Sequence, residues 1–386
     1  MSIYLNNAAT TWPKPEPVAE AVYNFMTQSG ANLSRGSASE RDIETLDSVY
    51  TCRKALADML GGYEKRSAKY ISLTANITES INIILKGILK PGMRVITSSM
   101  EHNAVVRPLR SAEATGVRVE VMQCSLRGYL DPNSLCKALA ERADLVILSH
   151  CSNVSGSLQD LAAAAEICSA HSVPLVVDCA QTAGIVPLDT ERLGLAALCF
   201  TGHKGLFGPQ GTGGIVWKPD FAERCSCFIE GGTGSLSHDE HQPQQMPDKF
   251  ESGTPNLPGI AGLLAALEWI KKIGISNIHS REKFLGDRLE AGLRTISGLR
   301  IIGPQENDPR LPVYSVNING KDNAVLAMNL SDRYGIETRP GLHCAPLAHR
   351  TLGSFPEGAL RLSPGYFNTE EEIDAVIEAV RALAAE

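Results

Sequence analysis

Short β-type runs alternating with helix-like stretches, runs that are apolar throughout, and a change of pattern after Gly259 predict an α/β protein. The expected core is a mainly parallel, seven-stranded sheet with helices on both faces, followed by a smaller C-terminal α+β domain. The runs are "KYISLTA", "RVITSS", "RVEVMQC", "DLVILSH", "PLVVDCA" and "ALCFTG", with "GGIVWK" as a seventh, and segments such as "DLAAAAEICSAHS" separate them. Runs without a polar face, such as "LVIL" and "LVV", suit strands covered on both sides. Beyond Gly259 the amphipathic stretch "IAGLLAALEWIKKIG" leads to the strand-like pieces "PVYSVNI" and "ALRLS" and to a closing helix, "TEEEIDAVIEAVRALAAE". Gly and Pro crowd "GTPNLPGI", as they do in linkers. The expected division is therefore an N-terminal arm over 1–15, a large domain over 16–258 and a small domain over 259–386.

A chain of 386 residues can bury more than one core. Its 43% hydrophobic and 20% charged residues are ordinary soluble values, and a net charge of -7 argues against a nucleic-acid-binding surface. The N-terminus "MSIYLNNAATTWPKP" has neither a basic flank nor an apolar core, and no stretch approaches the roughly 18 apolar residues of a membrane span. A cytoplasmic protein without a membrane partner is expected. Ten cysteines are too few for a disulfide scaffold of this size, and Cys151, Cys179 and Cys199 lie in or beside apolar runs as small core residues do. Cys225 and Cys227 lack the two-residue spacing of a zinc pair, and His238 and His241 sit in a Gln/Pro-rich loop, so no metal site is expected.

In parallel α/β sheets ligands collect beyond the carboxyl ends of strands, so the polar residues that follow each run are the candidates for chemistry. "LTANITESINII" ends a strand at a turn and starts a helix at Ile77 and Thr78, offering backbone N–H groups to an anion. His102 follows the next strand, and Asn153, then Asp178 and Gln181, then Thr201, His203 and Lys204 follow later ones. Each alone has an ordinary explanation as a cap, a core histidine or a solvated lysine. Together, an amine, a carboxylate, an imidazole and a phosphate-suited helix start are the parts that pyridoxal 5'-phosphate requires. The amine can condense with the cofactor's aldehyde, and Asp178 can keep the ring nitrogen protonated. His102 can stack on the ring, while Gln181 and Asn153 can address its phenolic oxygen. Five glycines within 205–214 suit a backbone that comes close to a cofactor.

"VVDCAQTAG", "TGHKGLFGPQGTGG", "FESGTPN" and "RPGLHCAPL" resemble the class V aminotransferase-like pyridoxal-phosphate enzymes, and among them the cysteine desulfurases and selenocysteine lyases. The resemblance runs from "YLNNAATT" to "SPGYFNTEEEID" and implies the fold type I of that cofactor. It implies that Lys204 carries the cofactor and that Thr201, His203, Ile77 and Thr78 bind its phosphate. It also implies a homodimer in which Thr254 reaches the phosphate held by the other subunit. Arg339 or Arg361 would grip the carboxylate of L-cysteine or L-selenocysteine, with Asn153 beside it. Cys344 would take the sulfur as a persulfide, leaving L-alanine, and an acceptor protein would collect the sulfur. His102 would handle a sulfur or cofactor proton.

Cys344 sits in a loop with Arg339, His343 and His349, and nearby cations favour a nucleophilic thiolate. This chain departs from the resemblance at Pro340 and Leu342, where threonine and histidine are usual. It departs again at Asn76-Ile77, where Gly-Thr is usual, and at Pro364-Gly365. A transaminase, an epimerase, another C–S lyase, or a catalytically silent scaffold for sulfur-handling partners are the alternative readings, because fold and cofactor do not determine the reaction.

Overall fold

A computed structural model describes residues 2–33 and 39–386. The arm opens with β1 (Ile3–Tyr4), and each expected run of the large sheet is a strand: β2 (Ile71–Thr74), β3 (Arg94–Ser98), β4 (Arg118–Met122), β5 (Leu145–Ser149), β6 (Leu175–Asp178), β7 (Ala197–Thr201) and β8 (Gly213–Trp217). Their order across the sheet is β2-β8-β7-β6-β5-β3-β4. β8 runs antiparallel to β2 and β7, and the remaining pairs are parallel.

The absence of a polar face in these strands has a direct structural counterpart. Leu145 and Ile147 of β5 pack into one hydrophobic cluster and Val146 and Leu148 into the other, as do Val176 and Val177 of β6. Successive side chains point to opposite faces, so a strand with a core on each side must be apolar at every position.

After β8 come β9 (Leu299–Ile302), β10 (Tyr314–Ile318), β11 (Ile336–Glu337), β12 (Arg339–Gly341) and β13 (Ala359–Leu362). Four of them form an antiparallel sheet in the order β12-β13-β10-β9. β12 is an edge strand, which is where Pro340 can lack an N–H without breaking a ladder. The closing helix, Glu370–Ala385, starts at a capping box between Thr369 and Glu372 and buries Ile373, Val376 and Val380 against this sheet's core.

Two packing facts bear on how the chain divides. The helix Leu257–Ile273 buries Leu263, Ala266, Leu267 and Ile270 in the core that Cys52 and Leu56 of the helix Glu40–Leu60 also fill, so it belongs physically to the large unit. The small-sheet core instead draws on Leu285 and Leu289 of the next helix and on Leu5 of the arm. β1 pairs in parallel with β11, which ties the arm to the small unit. Among the described residues no helix is long and apolar enough to cross a membrane.

Candidate active site

The strand order reverses around β3, whose neighbours β4 and β5 lie on opposite sides, and such a reversal opens a crevice at the strands' carboxyl ends. His102 follows β3, Asn153 follows β5, Asp178 ends β6, and His203 and Lys204 follow β7. The glycine-rich turn after Lys204 also comes close to other segments of the protein. A Cβ on Gly205 would lie 2.6 Å from the carbonyl oxygen of Ala183, and one on Gly213 would lie 2.8 Å from the backbone of Asn76. These glycines let protein segments pack on one another. Gly213 thereby sets β8 against the turn that precedes the helix Ile77–Ile88.

Burial pushes the Lys204 amine down to about 8, with the Arg361 and Arg339 guanidiniums acting the same way and Asp178 opposing them. Asp178 is buried, and burial raises its pKa against the Ala180 N–H, which donates to Oδ1 at 2.9 Å, and against Lys204. His102 is the N-cap of the helix Asn103–Glu113, its Nδ1 accepting from Ala104 N at 3.0 Å. Burial, Lys204 and three arginines push its pKa down to about 4. At neutral pH the ring is uncharged with its proton on Nε2, so it can donate a hydrogen bond but has no free lone pair to take a proton.

At the helix Ile77–Ile88 the Asn76 side chain accepts from Glu79 N at 3.0 Å, leaving the first-turn amides of Ile77 and Thr78 for an anion. Thr201 is buried at the end of β7, with its hydroxyl 3.4 Å from the Thr212 carbonyl. His203 has a buried Nδ1 with no partner among the described residues, while its carbonyl accepts from Thr10, Thr11 and Lys14 of the arm. A buried ring nitrogen left unpaired is costly unless a ligand completes it. One N–H of Asn153 donates to the His343 carbonyl at 2.8 Å and one of Gln181 to the Ala8 carbonyl at 3.0 Å, so each amide keeps a second N–H to spare. An uncharged-prone amine, a buried carboxylate, an orphaned imidazole nitrogen and free helix-start amides fit pyridoxal phosphate. Thr254 is exposed and lines a cavity of about 590 Å³ with Gly253, Thr74 and Ala75.

Arg339 and Arg361 face one another across the β12–β13 pair. Arg361 is buried, donates to the Asn153 carbonyl and to Asn6 Oδ1, both at 2.9 Å, and has an Nε with no partner among the described residues. Burial and Arg339 push it down to about 9. Like charges directly opposite repel, so an anion between them is favoured.

Cys344 is exposed, whereas Cys151, Cys179 and Cys199 are buried with thiol pKa values raised by burial. Arg339 Nη2 lies 3.7 Å from its Sγ. Cys344 also lines an open groove of about 360 Å³ with Thr78, His102, Lys86 and Arg107. The expectation that His343 and His349 add positive charge here is corrected. Both are buried, burial and Arg361 push them down to about 3 and about 4, and Arg339 is the cation that touches the sulfur.

His343 and Cys344 are consecutive left-handed residues, at φ 50° and 58°. That conformation costs on the order of 1–2 kcal/mol per residue for a side chain with a Cβ.

Two further residues escaped sequence reasoning. Asn6 anchors Arg361, and only the return of the arm to β13 brings them together. Glu101 is wholly buried, accepts from Ser98 Oγ at 2.5 Å and from Ser149 N and Oγ, and is pushed up to about 7 by burial. Its one sequence signal was its place directly before His102.

Comparison with known proteins agrees over the full chain. A 31% identical relative named as a probable cysteine desulfurase, from Methanothermobacter thermautotrophicus, aligns over 99% of this chain and 94% of its own. The cysteine desulfurase CsdA of Escherichia coli is 33% identical over the same shares. Among solved structures, the apo cysteine desulfurase of Thermococcus onnurineus superposes with a TM-score of 0.92 at 28% identity, covering 100% of this chain and 95% of the other. The E. coli CsdA structure, an S-sulfonic acid form, gives 0.88 at 31% identity over 100% and 94%. The profile described as aminotransferase class-V matches residues 3–376, and the chain belongs to that family.

Proposed function

We propose that the protein is a pyridoxal-phosphate-dependent cysteine desulfurase that converts L-cysteine to L-alanine and receives the sulfur on Cys344. The observation that carries this is the exposed Cys344 thiol beside Arg339, in one groove with His102 and Thr78. The relatives named as cysteine desulfurases support it. The sulfur leaves Cβ as the C–S bond breaks, an S–S bond forms to the Cys344 thiolate, and the carbon skeleton gains the proton that completes alanine. Substrate and products balance without an added oxidant.

Ile77, Thr78, Thr201 and His203 would hold the phosphate, Asp178 the ring nitrogen, and Gln181 and Asn153 the phenolic oxygen, with His102 on the ring face. When bound, the cofactor supplies an electron sink that makes the substrate's Cα–H and Cβ–S bonds labile. Arg361, pinned by Asn153 and Asn6, and Arg339 opposite it receive the substrate carboxylate. Lys204, uncharged for a substantial fraction near pH 8, takes the Cα proton and returns one. His102 Nε2–H donates a hydrogen bond to the sulfur. An acceptor protein then removes the persulfide sulfur. Ten free thiols suit a reducing, cytoplasmic compartment.

Incubating the holoenzyme with a panel of amino acids and reading alanine, sulfide, selenide and keto acids together tests this. Alanine with sulfide from L-cysteine is expected, and keto acid without either would place the protein with the transaminases. Selenide would add selenocysteine to its substrates.

Asp178→Asn is expected to bind cofactor yet lose about 10²–10³-fold in kcat, because an amide cannot hold the ring nitrogen protonated. Near-native turnover of this variant would remove Asp178 from the role.

A homodimer with shared sites is supported by Thr254 on an exposed Gly/Pro-rich segment. Sedimentation should show a dimer whose dissociation coincides with cofactor loss, and a fully active, cofactor-saturated monomer would contradict it.

A further inference from the structure

A buried string of three side chains ends at the cysteine turn. Ser354 Oγ lies 2.8 Å from His349 Nδ1, His349 Nε2 lies 3.1 Å from His343 Nδ1, and His343 Nε2 lies 2.9 Å from the Arg339 carbonyl oxygen. All three residues are buried, with His349 wholly so.

Only one arrangement of protons satisfies this string. A carbonyl only accepts, so His343 Nε2 carries its proton. Burial, with Arg361 nearby, keeps both rings neutral, which leaves His343 Nδ1 bare. Its partner, His349 Nε2, must then donate. His349 Nδ1 is left to accept, and the Ser354 hydroxyl supplies that proton. Donor and acceptor are matched at every link.

The string closes on the segment that needs support. His343 and Cys344 are both left-handed, and the turn is tied at His343 O by Asn153 Nδ2 and at Cys344 O by Asn103 N, each at 2.8 Å. Those two ties hold carbonyls of the turn itself. The His343 ring adds a link to the carbonyl of Arg339, the residue whose guanidinium meets Cys344 Sγ. Ser354 is itself held, its N–H donating to the His349 carbonyl at 2.9 Å and its carbonyl accepting from Gly358 at 2.7 Å.

We propose that Ser354, His349 and His343 are positioning residues that hold the left-handed turn at 343–344 and so present the Cys344 thiol beside Arg339. The consequence for sulfur transfer rests on the reading of Cys344 as the sulfur acceptor. The consequence for the turn itself does not.

The test uses the cofactor-loaded protein and three variants. His349→Phe removes both ring links, His349→Gln retains a donor toward His343 Nδ1, and Ser354→Ala removes only the first link. Amide hydrogen exchange across 341–347 is expected to rise about tenfold or more in His349→Phe, less in Ser354→Ala, and within about threefold of wild type in His349→Gln, with β5 and β6 unchanged. Turnover of L-cysteine should fall in the same order, mainly through kcat, with cofactor absorbance unaltered. In a Cys344→Ala background, His349→Phe should change residual turnover no further.

Unchanged exchange at 341–347 in both His349→Phe and Ser354→Ala would overturn the proposal. So would a further fall of residual turnover in the double variant, or a shifted cofactor band. If His349→Phe fails to fold, Ser354→Ala carries the same comparison. Absence of added sulfur on Cys344 in the wild-type protein would refute the desulfurase reading instead, and the exchange measurement would still decide the positioning.

Discussion

Lys204→Ala is expected to abolish covalent capture of pyridoxal phosphate and to lower turnover by on the order of 10³-fold or more, since the variant loses both the attachment point and the base for the Cα proton. Capture requires a neutral amine. The folded environment lowers the Lys204 pKa from 10.5 to about 8, so the rate at which cofactor-free protein takes up cofactor should rise with pH through about 8 and level off above it. An amine with an unshifted pKa would keep climbing for two further units. A rival amine is Lys14, which burial also pushes down to about 8. Its Nζ is already engaged, with Thr11 Oγ1 at 2.7 Å and the His203 carbonyl at 2.8 Å. Borohydride reduction followed by peptide mapping decides between them, and label on Lys14 or any other lysine would end the assignment of Lys204.

Cys344→Ala is expected to keep the cofactor absorbance and the binding of L-cysteine while losing release of its sulfur by roughly 10²-fold or more, as removal of a nucleophile does. Desulfuration needs a thiolate acceptor, whereas transamination and simple elimination do not, so this variant separates the reactions that the scaffold permits. Turnover of selenocysteine should be less affected, because selenolate leaves more readily without a covalent relay. Mass spectrometry of the wild-type protein mixed with L-cysteine should find one added sulfur on the peptide that carries Cys344. An acceptor protein should accelerate turnover by emptying that thiol. Unmodified Cys344 during steady turnover, together with full activity of Cys344→Ala, would return the protein to the transaminase or lyase readings.

Much of the large sheet was legible because burial on both faces forces a run such as "LVIL" to be apolar at every position, and that is a local property of the chain. The positions of His102, Asp178 and Lys204 followed for the same reason, since each stands at the end of such a run. β12 was not legible. "RPG" has no strand character of its own, and pairing with β13 on one side is what makes Arg339–Gly341 a strand. Nor did the pattern break after Gly259 show that the helix Leu257–Ile273 packs into the large core, because an amphipathic stripe states that a face is buried and not against what.

Residue types at strand ends were thus set by the sequence alone: an amine, a carboxylate, an imidazole and a helix start, the parts that one cofactor requires. Their charge states were decided by tertiary structure. His343 and His349 read as cations beside a cysteine in the sequence, yet burial makes them neutral links in a hydrogen-bonded string. The glycines after Lys204 read as room for a cofactor, and the fold adds a packing demand on two of them, because Gly205 and Gly213 make room for Ala183 and Asn76. Asn6 and Arg361 stand 355 positions apart and meet only because the arm returns beside β13. Desolvation and contact between distant segments depend on which surfaces the folded chain brings together, and no local window of residues carries that information.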